Sequence, residues 1–362
     1  MTFSVTGRDD TQGMDKRTMN RDRALGALLG LAVGDALGTT LEFKRLEAPP
    51  FPALATGPHD DVSGGGPFHV KPGQVTDDTH MACCIATTLV EKRRLDVDDL
   101  GARYVRWSHH TFDIGAQTRA SISALERGQQ GEAAGREVWL AGNRRGAGNG
   151  SLMRTAPIGV FFAGRPEELR AAALLDSAIT HYDPRCRIAC AAFNAAIGAA
   201  VSTAGAISAA SLVDVAAGEV DLAARSIADA HHDERADIEA ARVSLHADLD
   251  AARDDDPKLY SRELHLHDHQ GFVRVAFRLA FWELVHAPSW KAGLVDVVNR
   301  GGDADTNGAI VGALLGALHG AEAIPEAWRK RVLAALQDKA PSPLRDDYHP
   351  KRLVALVEVF DA

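Results

Sequence analysis

Residues 301–308 read Gly-Gly-Asp-Ala-Asp-Thr-Asn-Gly, and a run of small apolar residues follows directly at 309–318. The two glycines let the backbone turn sharply, and the apolar run has the composition of a buried helix. Asp303 and Asp305 are therefore predicted to stand at a helix N-terminus. Such side chains cap helices and suit the positive end of the helix dipole, but clustered oxygen atoms also suit a metal ion. This stretch alone leaves both interpretations open.

A second stretch repeats the arrangement. Residues 71–75 form a turn, residues 76–79 read Thr-Asp-Asp-Thr, and residues 81–90 again have the pattern of a buried helix. If the two helix starts converge, Asp77 and Asp78 join Asp303 and Asp305 in a cluster that needs protons or cations to neutralise it. Oxygen ligands suit Mg²⁺ or Mn²⁺, and neither motif contains the cysteines or paired histidines that zinc prefers.

The composition is that of an ordinary globular protein. Of 362 residues, 46% are hydrophobic and 25% are charged, so the chain can bury an extensive core. The net charge of -9 makes a nucleic-acid partner unlikely on electrostatic grounds. No secretory signal is evident, and no apolar run approaches the roughly 20 residues that a membrane span needs. Four cysteines in apolar helical patterns predict small core residues and a reduced, cytoplasmic setting: Cys83, Cys84, Cys186 and Cys190.

Helical spacing dominates the chain, and hardly any segment alternates with a period of two; the predicted fold class is therefore all-α. The segment 24–38 is rich in glycines, each of which costs about 1 kcal/mol relative to alanine in a helix. This cost indicates close helix contacts or a backbone approached by a ligand. Residues 48–66 are predicted to form a loop. Residues 1–20 have the polar composition of a disordered tail, and residues 21–362 are predicted to form one helical domain.

Several polar residues have both a structural and a functional interpretation. Asp113 lies between two predicted helices and His181 at a helix junction, where capping or structural roles are more common. Residues 142–151 could direct glycine N–H groups at a phosphate, but the lysine of a phosphate-binding loop is absent. Ser151 lacks the pattern around a hydrolase nucleophile. Residues 265–269, His-Leu-His-Asp-His, lack the spacing of a zinc motif and are predicted to lead into a helix.

Four motifs in one order resemble the ADP-ribosylglycohydrolase family over residues 21–335. The resemblance implies an orthogonally packed all-α domain with two Mg²⁺ or Mn²⁺ ions. It also implies an enzyme that removes ADP-ribose from modified protein side chains by hydrolysing the bond at the anomeric carbon. The motifs are Gly34-Asp35-Ala36-Leu37-Gly38 with Glu42, Thr76-Asp77-Asp78-Thr79, Gly148-Asn149-Gly150-Ser151-Leu152-Met153-Arg154, and Gly301-Gly302-Asp303-Ala304-Asp305-Thr306.

Matching the motifs assigns roles to individual residues. Glu42, on a mobile loop, or Asp113 is the expected acid/base group, acting on an oxocarbenium-like transition state. His181 is expected beside the ADP-ribose. The implied metal ligands are Thr76, Asp77, Asp78, Asp303, Asp305 and Thr306. The residues expected to contact the diphosphate or ribose are Gly148, Asn149, Gly150, Ser151 and Met153.

The sequence leaves the linkage and the biological setting open. Arginine, serine and nucleic-acid adducts present the same ADP-ribose half, and Asp113 slightly favours arginine because a carboxylate can receive a guanidinium. Residues 1–20 and 208–262 exceed a minimal member of the family. They suggest, as an alternative, an immunity protein that binds and blocks an ADP-ribosyltransferase toxin through its tail, with hydrolysis of the modification as a secondary activity. A catalytically silent ADP-ribose-binding module is disfavoured, because an unused cluster of four carboxylates is costly.

Overall fold

The computed structural model describes residues 19–338 and 346–360. Within these ranges the chain forms α-helices and three short 3-10 segments, and its β-bridges are isolated pairs. The predicted all-α class is confirmed. The helices are α1 (Arg21–Gly38), α2 (Asp77–Lys92), α3 (Val97–Ser108), α4 (Ala116–Glu126), α5 (Glu132–Ala141), α6 (Ala156–Phe161), α7 (Pro166–Thr180), α8 (Pro184–Ser202), α9 (Ala209–Ala230), α10 (Arg235–Ala251), α11 (Val273–His286), α12 (Trp290–Asn299), α13 (Ala304–His319), α14 (Glu326–Ala334) and α15 (Lys351–Glu358).

The predicted tail, residues 1–20, lies outside the described residues except for Met19 and Asn20. Asn20 is the N-cap of α1, because its side-chain oxygen accepts the backbone N–H of Arg23 at 3.1 Å. Its own backbone N–H donates to the carbonyl oxygen of Val201 at 2.8 Å. The first helix therefore begins at a side chain that satisfies one of its free N–H groups, and this start is tied to α8.

Helices α1 and α13 run side by side in opposite directions along glycines spaced four residues apart. Residues at this spacing share one helix face. Gly26 and Gly34 of α1 lie against Gly316 and Gly308 of α13. A β-carbon on Gly308 would stand 2.5 Å from the carbonyl oxygen of Gly34, closer than real side chains come. The glycines thus serve close helix contact, and they bring the end of α1 beside the start of α13.

The first helix and the 3-10 turn after it, Arg21–Leu41, are apolar and long enough to span a membrane by length and composition, with a mean hydropathy of 1.5. The expectation that no apolar run reaches this length is wrong for this segment. In the fold, 89% of that apolar window is buried inside the protein. Packing against α13 and the other core helices accounts for its apolar character.

Buried apolar side chains from most of the helices form one large cluster, and Trp139, Ala178 and Tyr182 form a second, smaller one. The four cysteines belong to the large cluster and carry free thiols, which agrees with their prediction as small core residues. The loop predicted at 48–66 contains no helix. Two side chains at α12 hold this loop. Asp296, in α12, accepts the N–H of Ala55 at 2.5 Å. Arg300, directly after α12, donates to the carbonyl oxygens of Pro49 and Ala53 at 3.1 and 3.0 Å.

Candidate active site

The end of α1 and the start of α13 place three carboxylates together. Glu42 follows the 3-10 turn Thr39–Leu41, Asp303 is the N-cap residue of α13, and Asp305 lies in its first turn. One carboxylate oxygen from each lies within 4.8 Å of the other two. In the described part of the chain this is the single group of three or more acidic, histidine or cysteine side chains with such spacing. The α1–α13 glycine contact therefore assembles the centre of the site.

Asp35, buried in α1, holds the Thr-Asp-Asp-Thr motif at the start of α2. Its carboxylate accepts the backbone N–H and hydroxyl of Thr76 at 3.0 and 2.9 Å. It also accepts the N–H and hydroxyl of Thr79 at 3.2 and 2.5 Å. Burial raises the pKa of Asp35 to about 6 against the opposing effect of these hydrogen bonds. The sequence analysis assigned no role to Asp35. A carboxylate within a helix of small apolar residues could have indicated that this side chain has buried polar partners.

The two aspartates of that motif are buried at the start of α2. The Thr76 hydroxyl donates to Oδ2 of Asp78 at 2.9 Å, whereas Oδ1 of Asp78 is buried and has no hydrogen-bond partner in the part of the chain that the structure describes. The carboxyl group of Asp77 shares a hydrogen bond with that of Asp113. The structure thus brings Asp113, from the connector between α3 and α4, to the acid cluster. Its contacts are not limited to those of a turn.

Burial makes every carboxyl group of the cluster hard to ionise, and for all of them except Asp303 the charges of neighbouring carboxylates add to the effect. Burial, followed by the charge of Asp303, raises the pKa of Glu42 to about 9. Burial, followed by the charge of Glu42, raises the pKa of Asp113 to about 8. Burial is also the largest cause of the raised pKa values of the other four members, which are Asp77, Asp78, Asp303 and Asp305. Protons or cations must neutralise this cluster.

The site fits a divalent cation by two observations. Oε2 of Glu42 and Oδ1 of Asp78 are buried without a hydrogen-bond partner among the described residues, which is costly unless another group satisfies them. The donor atoms are carboxylate and hydroxyl oxygens, the ligands that Mg²⁺ and related hard cations prefer. The predicted ligands Thr306 and Asp305 lie in the first turn of α13, where the Thr306 N–H donates to Oδ1 of Asp305 at 2.9 Å.

The glycine-rich loop touches this acidic cluster directly. The Asn149 amide nitrogen donates to Oδ2 of Asp303 at 2.7 Å. The Thr306 hydroxyl lies 3.8 Å from the Met153 sulfur, which accepts its hydrogen bond. The backbone N–H of Asn149 donates to the carbonyl oxygen of Gly271 at 3.0 Å. Two residues predicted to contact the substrate therefore contact two predicted metal ligands, which places the loop at the edge of the acid cluster.

His181 packs against the same loop. A β-carbon on Gly150 would stand 2.8 Å from Cε1 of the His181 ring, and one on Gly148 would stand 3.1 Å from its Nε2. The Thr180 hydroxyl lies 2.9 Å from Nδ1 of His181. Burial lowers the pKa of His181 to about 3, so that the ring is neutral at physiological pH. The glycines are needed here because the imidazole occupies the space of a side chain.

Contacts with α7 and α4 also hold the glycine-rich loop in place. The buried Ser151 hydroxyl accepts a hydrogen bond from Ser177 at 2.9 Å, which ties this predicted contact residue to α7. Gln117 of α4 accepts the N–H of Gly148 at 3.2 Å and donates to the carbonyl oxygen of Thr180 at 3.3 Å. Sequence reasoning missed Gln117, because nothing in its neighbourhood distinguishes it from an exposed helical glutamine.

The histidine-rich stretch 265–269 forms turns ahead of α11, which begins at Val273. His267 Nε2 lies 2.8 Å from the carbonyl oxygen of Arg300, and Asp268 pairs with Arg45. None of its histidines belongs to the group of candidate metal ligands found among the described residues. The stretch therefore contacts the residue before the Gly-Gly-Asp turn and leads into α11, as predicted for a helix entry.

Comparison with known proteins identifies the family. The sequence profile of the ADP-ribosylglycohydrolase family matches residues 16–357. The ADP-ribosyl-[dinitrogen reductase] glycohydrolase of Rhodospirillum rubrum is 30% identical over 86% of this chain and 90% of its own length. The ADP-ribosylarginine hydrolase Tri1 of Pseudomonas putida is 31% identical over 86% of this chain and 74% of its own length.

A solved structure agrees with these sequence matches. The structure titled ADP-ribosylglycohydrolase-related protein complex superposes with a TM-score of 0.63 at 28% identity, covering 94% of this chain and 98% of that one. Family profile, relatives and fold agree with the motif order read from the sequence. The chain therefore belongs to the ADP-ribosylglycohydrolase family and is an ADP-ribosylglycohydrolase.

Proposed function

We propose that this enzyme hydrolyses the bond between ADP-ribose and the arginine side chain of a modified protein, with two Mg²⁺ or Mn²⁺ ions at the acid cluster. The observation that carries the proposal is the convergence of six buried or half-buried carboxyl groups beside a glycine-rich loop. The names of two relatives, one of them an ADP-ribosylarginine hydrolase, support the substrate class.

The residues that would hold the ions fall into two sets. Thr76, Asp77 and Asp78 come from the start of α2, and Asp303, Asp305 and Thr306 come from the start of α13. Glu42 lies with Asp303 and Asp305. Bound ions would orient the ribose hydroxyls and polarise a water molecule near the anomeric carbon. Asp35 would keep the α2 set in position through its hydrogen bonds to Thr76 and Thr79.

The chain supplies two candidates for proton transfer. The raised pKa values of Glu42 and Asp113, about 9 and about 8, are typical of carboxyl groups that can hold a proton at neutral pH. The reaction breaks the bond from the anomeric carbon to the guanidine nitrogen, and a water molecule adds at that carbon. One carboxylate would take a proton from the water while the leaving guanidine gains one, across an oxocarbenium-like transition state.

The charge of the site favours an arginine linkage. Once Glu42 and Asp113 have released their protons, the six carboxyl groups carry two more negative charges than two divalent ions carry positive ones. A guanidinium would offset that excess, whereas a serine linkage brings no positive charge. The backbone at Gly148, Asn149 and Gly150 is suited to the diphosphate, because glycines let N–H groups approach phosphate oxygens closely.

The testing experiment measures ADP-ribose release from an arginine-ADP-ribosylated protein with Mg²⁺, with Mn²⁺ and with chelator. We expect release that depends on metal and that is lost in Asp303→Asn, whose carboxylate belongs to the group of three. A serine-ADP-ribosylated protein serves as the comparison substrate. Release from the serine substrate alone would overturn the arginine linkage, and full activity in chelator or in Asp303→Asn would overturn the metal site.

The setting of the enzyme is also a proposal. The four free, buried cysteines suit a reduced cytoplasm, where an ADP-ribosylated protein would be the partner. The alternative role, blocking an ADP-ribosyltransferase toxin through the tail, depends on residues 1–18, which lie outside the described residues. Deleting residues 1–18 separates the two roles, since a hydrolase keeps its turnover and a tail-dependent inhibitor loses its partner.

A further inference from the structure

We propose that Phe43 is a specificity residue whose ring stacks on the guanidinium of the modified arginine at the mouth of the acid cluster. The inference rests on the arginine linkage proposed above and extends it to a named contact. Phe43 directly follows Glu42, whose carboxylate lies within 4.8 Å of those of Asp303 and Asp305. An aromatic side chain next to this cluster can act on whatever group the cluster binds.

The Phe43 side chain is exposed although it is large and apolar. Its exposed fraction is 58%, whereas the neighbouring Glu42 is 5% exposed. Among the described residues, its ring forms no aromatic pair and no cation contact. Val243, which is similarly exposed at 54%, stands instead on α10, a helix that carries none of the acidic motifs. An exposed aromatic ring without such partners, next to a member of the acid cluster, is available to a substrate.

The backbone of Phe43 is held in a conformation that disfavours a phenylalanine. Its φ of 62° lies in the left-handed region, which glycine adopts much more readily. The Phe43 N–H donates to the carbonyl oxygen of Gly302 at 2.7 Å, and the Gly302 N–H donates to that of Lys44 at 2.8 Å. These two hydrogen bonds fix Phe43 against the residue before Asp303. Strained residues of this kind cluster at functional sites.

The chemistry that fits an aromatic ring beside carboxylates is a flat cation. A guanidinium stacks on an aromatic face and is attracted by the negative charge of its π system. Ionised carboxyl groups beside Phe43 would add to that attraction, because their charge is opposite to that of a guanidinium. A guanidinium held between the ring and the acids would keep the scissile bond near the anomeric carbon. The ADP half of the substrate, at the glycine-rich loop, would bind independently of the ring.

The test compares Phe43→Gly, Phe43→Tyr and the wild type on ADP-ribosylarginine. Glycine accepts the left-handed backbone, so that Phe43→Gly removes the ring without a folding penalty. We expect KM to rise about five- to twenty-fold in Phe43→Gly, with kcat little changed, because the lost contact is made equally in the ground and transition states. Phe43→Tyr should keep the wild-type KM, and so should Val243→Ala, which removes an exposed apolar side chain from α10.

The affinity for free ADP-ribose distinguishes a guanidinium contact from general damage. It should be the same in Phe43→Gly and in the wild type, because free ADP-ribose has no guanidinium. An unchanged KM in Phe43→Gly, or an equal loss of affinity for ADP-ribose, would overturn the inference while leaving the proposed function intact. A wild-type enzyme that fails to hydrolyse ADP-ribosylarginine would instead overturn the proposed linkage, and the assignment of the guanidinium to Phe43 would fall with it.

Discussion

The carbonyl group of Gly312 in α13 lies so close to Gly30 in α1 that a β-carbon on Gly30 would stand 2.7 Å from its carbon atom. The same carbonyl oxygen accepts a hydrogen bond from the Trp290 indole at 3.0 Å. The contact is thus fixed from two sides and has little room to relax. Because Glu42 follows α1 and Asp303 begins α13, the spacing of this helix pair determines how closely the acidic groups approach.

Gly30→Ala should therefore destabilise the protein by about 2–3 kcal/mol, the usual cost of forcing extra volume into a packed core. The matched control is Gly218→Ala in α9, where a β-carbon would meet no atom within 4 Å. That variant should gain up to about 1 kcal/mol from the better helix propensity of alanine. Urea unfolding of both variants checks the pair. Equal stabilities would contradict the close packing described for α1 and α13.

Asp35→Asn should weaken metal binding although it replaces no proposed ligand. An amide nitrogen in place of one carboxylate oxygen cannot accept the hydrogen bonds from Thr76 and Thr79. Supporting partners of this kind are worth about 10- to 100-fold in metal affinity. Titration calorimetry with Mn²⁺ measures the effect. Asp99→Asn is the control. Asp99, in α3, accepts a hydrogen bond at 2.7 Å from the hydroxyl of Thr88, which lies in α2 but far from its acidic start. The metal affinity of this variant should equal that of the wild type.

Gly150→Ala should impair the binding of ADP-ribose and leave the metal site intact. The added β-carbon would stand 2.8 Å from the His181 ring, so that the loop or the ring must move. We expect the affinity for free ADP-ribose to fall about tenfold, comparable to a lost charge-assisted contact, while the Mn²⁺ affinity is unchanged. Gly142→Ala, whose β-carbon would have no neighbour closer than 3.4 Å, is the control. A parallel loss of Mn²⁺ affinity in Gly150→Ala would refute this division of the site.

The sequence predicted the two acidic helix starts because each combines local signals: glycine or a turn, acidic residues and an apolar run. Those signals are confined to a few neighbouring residues. The role of Asp35 is not, since its partners Thr76 and Thr79 lie 41 and 44 residues away. A carboxylate inside a helix shows that something polar is buried nearby, but the identity of the partner depends on how α1 and α2 pack. For the same reason, the contacts of Asp113 and Gln117 could not be predicted from the sequence.

The helices that the sequence did not predict are short or weakly patterned. Helix α6, Ala156–Phe161, has only six residues and a proline in its first turn, so that it offers less than two turns of periodic pattern. Helix α5, Glu132–Ala141, follows Gly131 and contains Gly135, which fits against the carbonyl oxygen of Ala178. That glycine lowers the local helix propensity but permits close packing with α7. Contacts with the rest of the fold, rather than local sequence, therefore determine that both segments are helical.

Glu283 of α11 presents a buried carboxyl group outside the active site. Both of its oxygens are buried without a hydrogen-bond donor among the described residues. Burial, followed by the charge of Asp296, raises the pKa of Glu283 well above 4.5. The folded protein therefore keeps Glu283 protonated, while the unfolded chain releases the proton above its ordinary pKa. The stabilisation that results is complete at low pH and is lost as the pH rises toward the pKa of the folded state.

Glu283→Gln should remove this loss, because glutamine is neutral at every pH and has nearly the same shape. Relative to the variant, the wild type should lose up to about 1.4 kcal/mol of unfolding free energy per pH unit, the value for one proton, as the pH rises above the ordinary glutamate pKa toward that of the folded state. Urea unfolding at several pH values measures the difference. The exposed Glu322, replaced by glutamine, should give a profile parallel to that of the wild type. If the profile of Glu283→Gln is parallel as well, Glu283 is ionised in the folded protein, and its two oxygens must have partners that the described contacts lack.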